Sequence, residues 1–147
     1  MRALIWLSAL VVFVTVGSAI CSLLARMSGW RALAEAYPRR GELPAPRKSF
    51  VGGRVGSVSY RGCLHVAADT SGLYVSVMAL FSAGHAPLFI PWGDISVSPS
   101  TSPYGPVVRL QTRAVPASAL ELPLDVAAWV KVRARFSAWP GDVKMLN

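Results

Sequence analysis

The sequence predicts an N-terminal transmembrane helix followed by a mainly-β domain, a small barrel or sandwich, with one C-terminal helix. Three observations predict it. Ala3 to Ala25 (ALIWLSALVVFVTVGSAICSLLA) runs without a charge between Arg2 and Arg26. From Ser49 to Leu122, short apolar runs alternate with Gly, Pro, Asp and Ser turns, the spacing of a small barrel or sandwich. Asp125 to Ser137 (DVAAWVKVRARFS) then switches to helical periodicity, and Pro140-Gly141 ends it.

The apolar run is long enough to cross. Its 23 residues rise about 34 Å as a helix, against a hydrocarbon core of about 30 Å. Twelve of them are Leu, Ile, Val or Phe, and each favours insertion by roughly 0.3–0.6 kcal/mol near the bilayer centre. Ser8, Thr15, Ser18 and Ser22 return their hydroxyls to helix carbonyls. Gly17 and Ser18 offer a small surface of a kind common in membrane helices.

A cleaved secretory signal is the alternative. Arg2 is then the basic start, Leu4 to Val16 the apolar centre, and Gly17 and Ala19 the small residues before a cut, leaving a secreted or periplasmic β-domain. Cys21 suits a lipoprotein poorly, because Ile20 before it is bulky. The run instead continues to Ala25 and meets Arg26 and Trp30, an interfacial pattern that favours an uncleaved anchor. Arg26, Arg31, Arg39 and Arg40 crowd the C-terminal side against Arg2 alone on the other. The positive side stays inside, so the domain is expected in the cytoplasm, on a single-pass protein of the cell inner membrane. Cys21 in the membrane and Cys63 in the domain are expected to stay unpaired, as in a reducing compartment.

Net charge is +8, and +7 remains beyond Ala25. Arg26 to Arg61 holds eight basic residues against Glu35 and Glu42. Beside a membrane such charge is drawn to anionic head groups by about 1 kcal/mol per residue. No nucleic-acid motif accompanies it, so no nucleic-acid partner is expected.

Ser28 to Tyr37 (SGWRALAEAY) reads as a short juxtamembrane helix with Trp30, Leu33, Ala34 and Tyr37 on one face and the Arg31/Glu35 pair on another. The expectation is a helix lying at the membrane interface, touched by Arg26, Trp30, Arg31 and Tyr37. Residues 38–48 (PRRGELPAPRK) form a basic, proline-rich linker. The domain then occupies residues 49–140 and a tail 141–147. Within it, Phe50 to Tyr60 is one weak or bent strand weakened by Gly52, Gly53 and Gly56. Cys63 to Ala68 is a strand closed by the Asp69-Thr70-Ser71-Gly72 turn. Leu73 to Phe81 is an alternating strand and Ser82 to Pro87 a turn. Leu88 to Ile90 and Ile95 to Ser98 flank the bend Pro91 to Asp94, and Pro99 to Pro106 is a loop. Val107 to Thr112 and Ala119 to Leu122 complete the strands. Leu73 to Ile90 has no formal charge, but Gly84, His85 and Pro87 at its middle favour a hairpin over a second span.

SGWRALAEAYP, YRGCLHV (Tyr60 to Val66) and GLYVSVMALFSAGHAPLFIPWGDI (Gly72 to Ile95) behind a membrane helix resemble a family of small bacterial membrane proteins of unknown function. IPWGDI also resembles the corresponding strand of PH-like and GRAM-like domains. That resemblance implies a bent β-barrel capped by a C-terminal helix, and it brings no catalytic residue.

Catalytic signals are weak. His85 is read as a solvated hairpin-tip residue and His65 as a strand residue, surface or packed. Two histidines and one cysteine of the domain make no metal spacing, so no metal or cofactor is expected. Asp69 and Asp94 suit turns, where Asp caps backbone amides, although with His85 they are the only residues an enzyme of unrecognised type would use. Gly52-Gly53-Arg54-Val55-Gly56 resembles a phosphate loop but lacks the GKS/GKT ending and the strand-to-helix setting. The expected function is non-catalytic binding of a protein partner or anionic lipid head groups, with Arg54 and Arg61 as anion-binding candidates and Trp92 as a lining residue.

Overall fold

The computed structural model describes residues 1–39, 41–44 and 46–134. Helix α1 (Arg2–Met27) contains the apolar run, and α2 (Trp30–Ala36) follows it. Seven antiparallel strands come next: β1 (Lys48–Val55), β2 (Val58–Ala68), β3 (Gly72–Val77), β4 (Leu88–Pro91), β5 (Ile95–Ser102), β6 (Gly105–Thr112) and β7 (Leu120–Pro123). Helix α3 (Leu124–Arg133) closes the described chain. The expected ends at Phe136, Ser137 and Pro140-Gly141, and the tail 141–147, lie outside the described residues.

The strand order is β4-β3-β2-β1-β7-β6-β5. A flat sheet of seven strands would hold its edges roughly 29 Å apart. Yet edge strands β4 and β5 are joined only by the 3-10 turn Trp92–Asp94, and four residue steps reach at most about 14 Å. The sheet must therefore curl, and it forms a half-barrel. This is the helix, bent antiparallel sheet and C-terminal helix that the sequence predicts.

Pairing across the sheet puts one apolar row inside. Val58, Val55, Leu120, Leu110 and Val97 are successive partners across β2, β1, β7, β6 and β5. A second row joins Val51, Leu64, Val77 and Val66, Val75, Leu88. Leu64, Val55, Val66, Val75 and Leu122 are wholly buried, each stabilising by about 1.5–3 kcal/mol. Val126, Ala127 and Val130 of α3 pack on this core with Trp129 beside them, while Lys48 lies 6.0 Å from the Trp129 ring.

Several expected boundaries change. Phe50 to Tyr60 is two strands, because Gly56 at φ +55° permits a tight turn with Ser57. The Ser/Pro stretch 99–106 is paired: β5 runs to Ser102 and turns through Pro103 and Tyr104 into β6. Pro99 is tolerated there because β5 is an edge strand. Strand β3 ends at Val77, and Ala79–Phe81 forms a 3-10 turn instead of continuing the alternation.

The largest correction concerns α2. The sequence places Trp30 and Tyr37 at the membrane interface, on a separate juxtamembrane helix. Instead Trp30 is 0 % exposed, and Leu33 and Tyr37 are buried with it in the core of the β-domain. Their polar atoms explain the placement. Trp30 Nε1 donates to the Ala86 carbonyl at 2.8 Å. The Tyr37 hydroxyl donates to Asp94 at 3.1 Å and accepts from the Ala114 amide at 3.1 Å. Beyond α2 the start of the expected linker runs along edge strand β4, with Phe89 N–H donating to the Tyr37 carbonyl and Arg39 N–H to that of Pro87. The domain thus begins at the end of α1 and not at Ser49.

Candidate functional site

The last two turns of α1 turn one face to the domain. Cys21, Ser22, Ala25 and Ser28 recur at helical spacing, and they are half-buried or buried while most of the helix before them is exposed. Each contact is made by a small group. Gly84 packs closely on Ser22 and Ala25, where a β-carbon would lie 3.0 Å from Ser22 Cα and 3.3 Å from Ala25 Cβ. Gly56 packs directly on the Ser28 carbonyl, and Gly29 on Ser118. The Ser57 hydroxyl donates to the Met27 carbonyl at 3.3 Å. Gly29 itself, at φ +76°, breaks the helix so that α2 can turn into the core.

Beneath this junction lies a buried ring cluster. Trp30, Tyr60 and His85 contact one another pairwise, with centroids 5.2–5.6 Å apart. His85 Nδ1 is 3.0 Å from the Ala83 carbonyl, which can only accept, so the proton resides on Nδ1. His85 Nε2 then accepts from the Tyr60 hydroxyl at 2.8 Å. The Ser28 hydroxyl lies 3.1 Å from the Tyr60 hydroxyl, donates to the Ala25 carbonyl at 3.3 Å and accepts from the Trp30 amide at 3.3 Å. The expectation of a solvated hairpin-tip histidine is therefore overturned: His85 is buried, and burial pushes its pKa below the ordinary value. Burial likewise raises the Tyr60 phenol. No local pattern in the sequence marks this cluster, because its three rings are 25 to 55 positions apart.

A groove of about 650 Å³ opens where the β1–β2 ribbon meets the β5–β6 hairpin. Arg54 and Arg61 both line it, so the structure brings these two candidates together. Arg61 is offset by an irregularity in β2, where Gly62 adopts φ +65°. Its guanidinium donates to the Tyr104 hydroxyl at 2.9 Å and lies 5.8 Å from that ring. Tyr104, 82 % exposed at the tip of the hairpin, is a groove residue that sequence reading missed inside a supposed loop. Arg54 Nε donates to the Gly56 carbonyl at 3.1 Å, which fixes Arg54 to the turn that touches the end of α1. Arg54 and Arg109 are both register partners of Glu121. Arg54 and Arg61 thus line the groove against Glu121 alone, with Arg109 beside that glutamate, which leaves it positive.

Trp92 does not line the groove. It is buried, and its Nε1 donates to the Asp69 carbonyl at 2.8 Å, which holds the β4–β5 connection against the β2–β3 turn. Arg26 and Arg31 remain exposed beside the end of α1, with Arg31 3.5 Å from Glu35. Asp69 caps its turn as expected, accepting the Ser71 and Gly72 amides at 2.8 and 3.1 Å and the Tyr74 hydroxyl at 3.0 Å. Asp94 accepts Tyr37 instead of a backbone amide. His65 is half-buried, 3.0 Å from the Ser49 hydroxyl, and burial lowers its pKa. Cys21 and Cys63 are free, but they are less separate than the sequence implied. Burial raises the Cys63 thiol and the nearby Cys21 adds to that rise. Among the described residues, no three of His, Cys, Asp and Glu gather to hold a metal ion.

No family model matches the chain, and comparisons with curated proteins and with solved structures find no match either.

Proposed function

We propose that this chain is a single-pass membrane protein whose β-domain is a non-catalytic binding module for anionic lipid head groups, taken in the groove between Arg54 and Arg61. One observation carries the reading: Arg54 is bonded to the same turn that packs on Met27 and Ser28 at the end of α1. The groove therefore begins where a membrane-spanning α1 would leave the bilayer. Helix α1 is long and apolar enough to cross. Arg26 and Arg31 add exposed charge at the same level, and each basic residue near an anionic surface contributes about 1 kcal/mol.

The arginine excess after α1 supports the cytoplasmic face of the inner membrane. A non-catalytic role is supported by the groups an enzyme would need. His85 has both ring nitrogens engaged, and Asp69 and Asp94 are each committed to a tyrosine hydroxyl.

Two measurements on the full chain test this. Lipid retained through purification is expected to be enriched in anionic species for the native chain and to lose that enrichment in the R54A/R61A variant. Equal enrichment in both would overturn the assignment of the groove, and a bound peptide in place of lipid would point to a protein ligand. Reporter activity from a C-terminal fusion is expected on the cytoplasmic side only. A mature chain beginning near Ile20 would mark the apolar run as a cleaved signal.

A further inference from the structure

Leu80 and Phe81 form an apolar tip that neither the core nor the groove uses. They belong to the 3-10 turn Ala79–Phe81, where Leu80 is 79 % and Phe81 43 % exposed. The tip stands beside α1: the turn contacts that helix, and Gly84, at the far end of the same loop, packs on Ser22 and Ala25. Ser22 lies four residues before Arg26, roughly 6 Å farther along the helix axis. The loop thus reaches past the charged end of α1 to the level of its apolar part. Near that level Ile20 and Leu23 of α1 are also exposed, so helix and loop both present apolar side chains there. The sequence agrees, since Gly72 to Gly93 carries no Asp, Glu, Lys or Arg.

We propose that residues 78–84 are a second membrane contact, a loop that inserts Leu80 and Phe81 into the bilayer at the boundary between head groups and acyl chains. The proposal rests on reading α1 as the membrane span. The occupant is the lipid around this chain's own helix, because the loop lies against that helix at a depth where lipid surrounds it. Burying two large apolar side chains adds to the hold of α1, and a second contact point stops the domain from rotating about the helix axis. The groove at Arg54 is then kept at one orientation to the surface. The uncharged hairpin, long and apolar enough to suggest a second span, is explained as a wedge that enters the membrane without crossing it.

Spin labels on the full chain in liposomes test this, on a C21S/C63S background, with single cysteines at Leu80, Leu10 and Thr70. All three native side chains are exposed, so labelling leaves the core intact. The label at Leu80 is expected to be accessible to oxygen and shielded from a water-soluble nickel chelate, like the label at Leu10 and unlike that at Thr70 in the β2–β3 turn. If Leu10 is shielded from the chelate and Leu80 is as open to it as Thr70, the loop is in water and the proposal falls while the anchor stands. If Leu10 is open as well, the span itself falls and the loop with it. A Leu80 label shielded from both reagents would mean a protein covers the tip, and this too would overturn insertion.

Discussion

The Tyr60 hydroxyl donates to His85 Nε2 at 2.8 Å, in a buried cluster that joins β2, the β3–β4 loop and the end of α1. Tyr60 also lies 3.1 Å from the Ser28 hydroxyl and lines the groove. One phenol therefore connects the mounting of the domain on α1 to the floor of its binding groove. Y60F removes the oxygen and leaves His85 Nε2 without its partner, while Ser28 keeps the Ala25 carbonyl and the Trp30 amide. An unsatisfied buried polar group costs about 1–3 kcal/mol. Denaturant unfolding of the full chain in detergent, followed by tryptophan fluorescence, is expected to show a loss of that size.

The same cluster gives a pH dependence. Burial lowers the folded-state pKa of His85 below the ordinary value of about 6.5. As pH falls through that value the unfolded chain takes up a proton that the folded chain refuses, so stability present at neutral pH is lost toward acid. The loss levels off once the folded histidine also protonates, with Tyr60 turning its proton toward Ser28. His65, lowered by its own burial, contributes with the same sign. Thermal midpoints between about pH 8 and pH 5 are expected to fall with acid in the native chain. In H85Q the slope is expected to be shallower; an equal slope would remove His85 from the explanation.

Gly56 is required twice. Its φ of +55° disfavours any side chain, and a Cβ there would strike the Ser28 carbonyl. The left-handed backbone alone costs a non-glycine residue roughly 1–2 kcal/mol. G56A is expected to exceed that loss and to loosen the β1–β2 turn from α1. Amide exchange at Gly56, whose amide bonds the Ala119 carbonyl just before β7 at 3.0 Å, reports it directly. Unchanged protection in G56A would show that the turn does not bear on the helix end.

Trp30 separates a core residue from an interfacial one. A tryptophan at the membrane surface could be replaced with little effect on the fold of the domain. A fully buried one costs about 3–5 kcal/mol when cut to alanine. W30A is expected at the upper end, because it also orphans the Ala86 carbonyl.

Much of the fold is legible in the sequence, and the reasons are local. The alternation of Leu73, Val75 and Val77 marks β3 because one face is buried, and Asp69 marks its turn because its carboxylate caps two amides. The uncharged run at α1 is visible by length alone. What escapes is long-range. Trp30 and Tyr37 have the composition of interfacial anchors, and only their contacts with Ala86, Asp94 and Ala114 put them inside. His85 sits in a Gly/Ala-rich turn that reads as solvated, yet the turn folds back under α1. Among site residues, Arg54 and Arg61 are legible as basic residues beside glycines. Tyr104 is not, because Ser and Pro around it disguise an edge hairpin.

The central claim is that the groove meets anionic lipid at the surface of the membrane that holds α1. Hydrogen exchange of the full chain in nanodiscs tests it most directly, comparing zwitterionic discs with discs containing phosphatidylglycerol. Anionic discs are expected to slow exchange at the groove, in the Arg54–Gly56 turn and around Arg61 and Tyr104, with the effect weakened by added salt as screening lengths shorten. Groove amides that exchange at the same rate in both kinds of disc would contradict it.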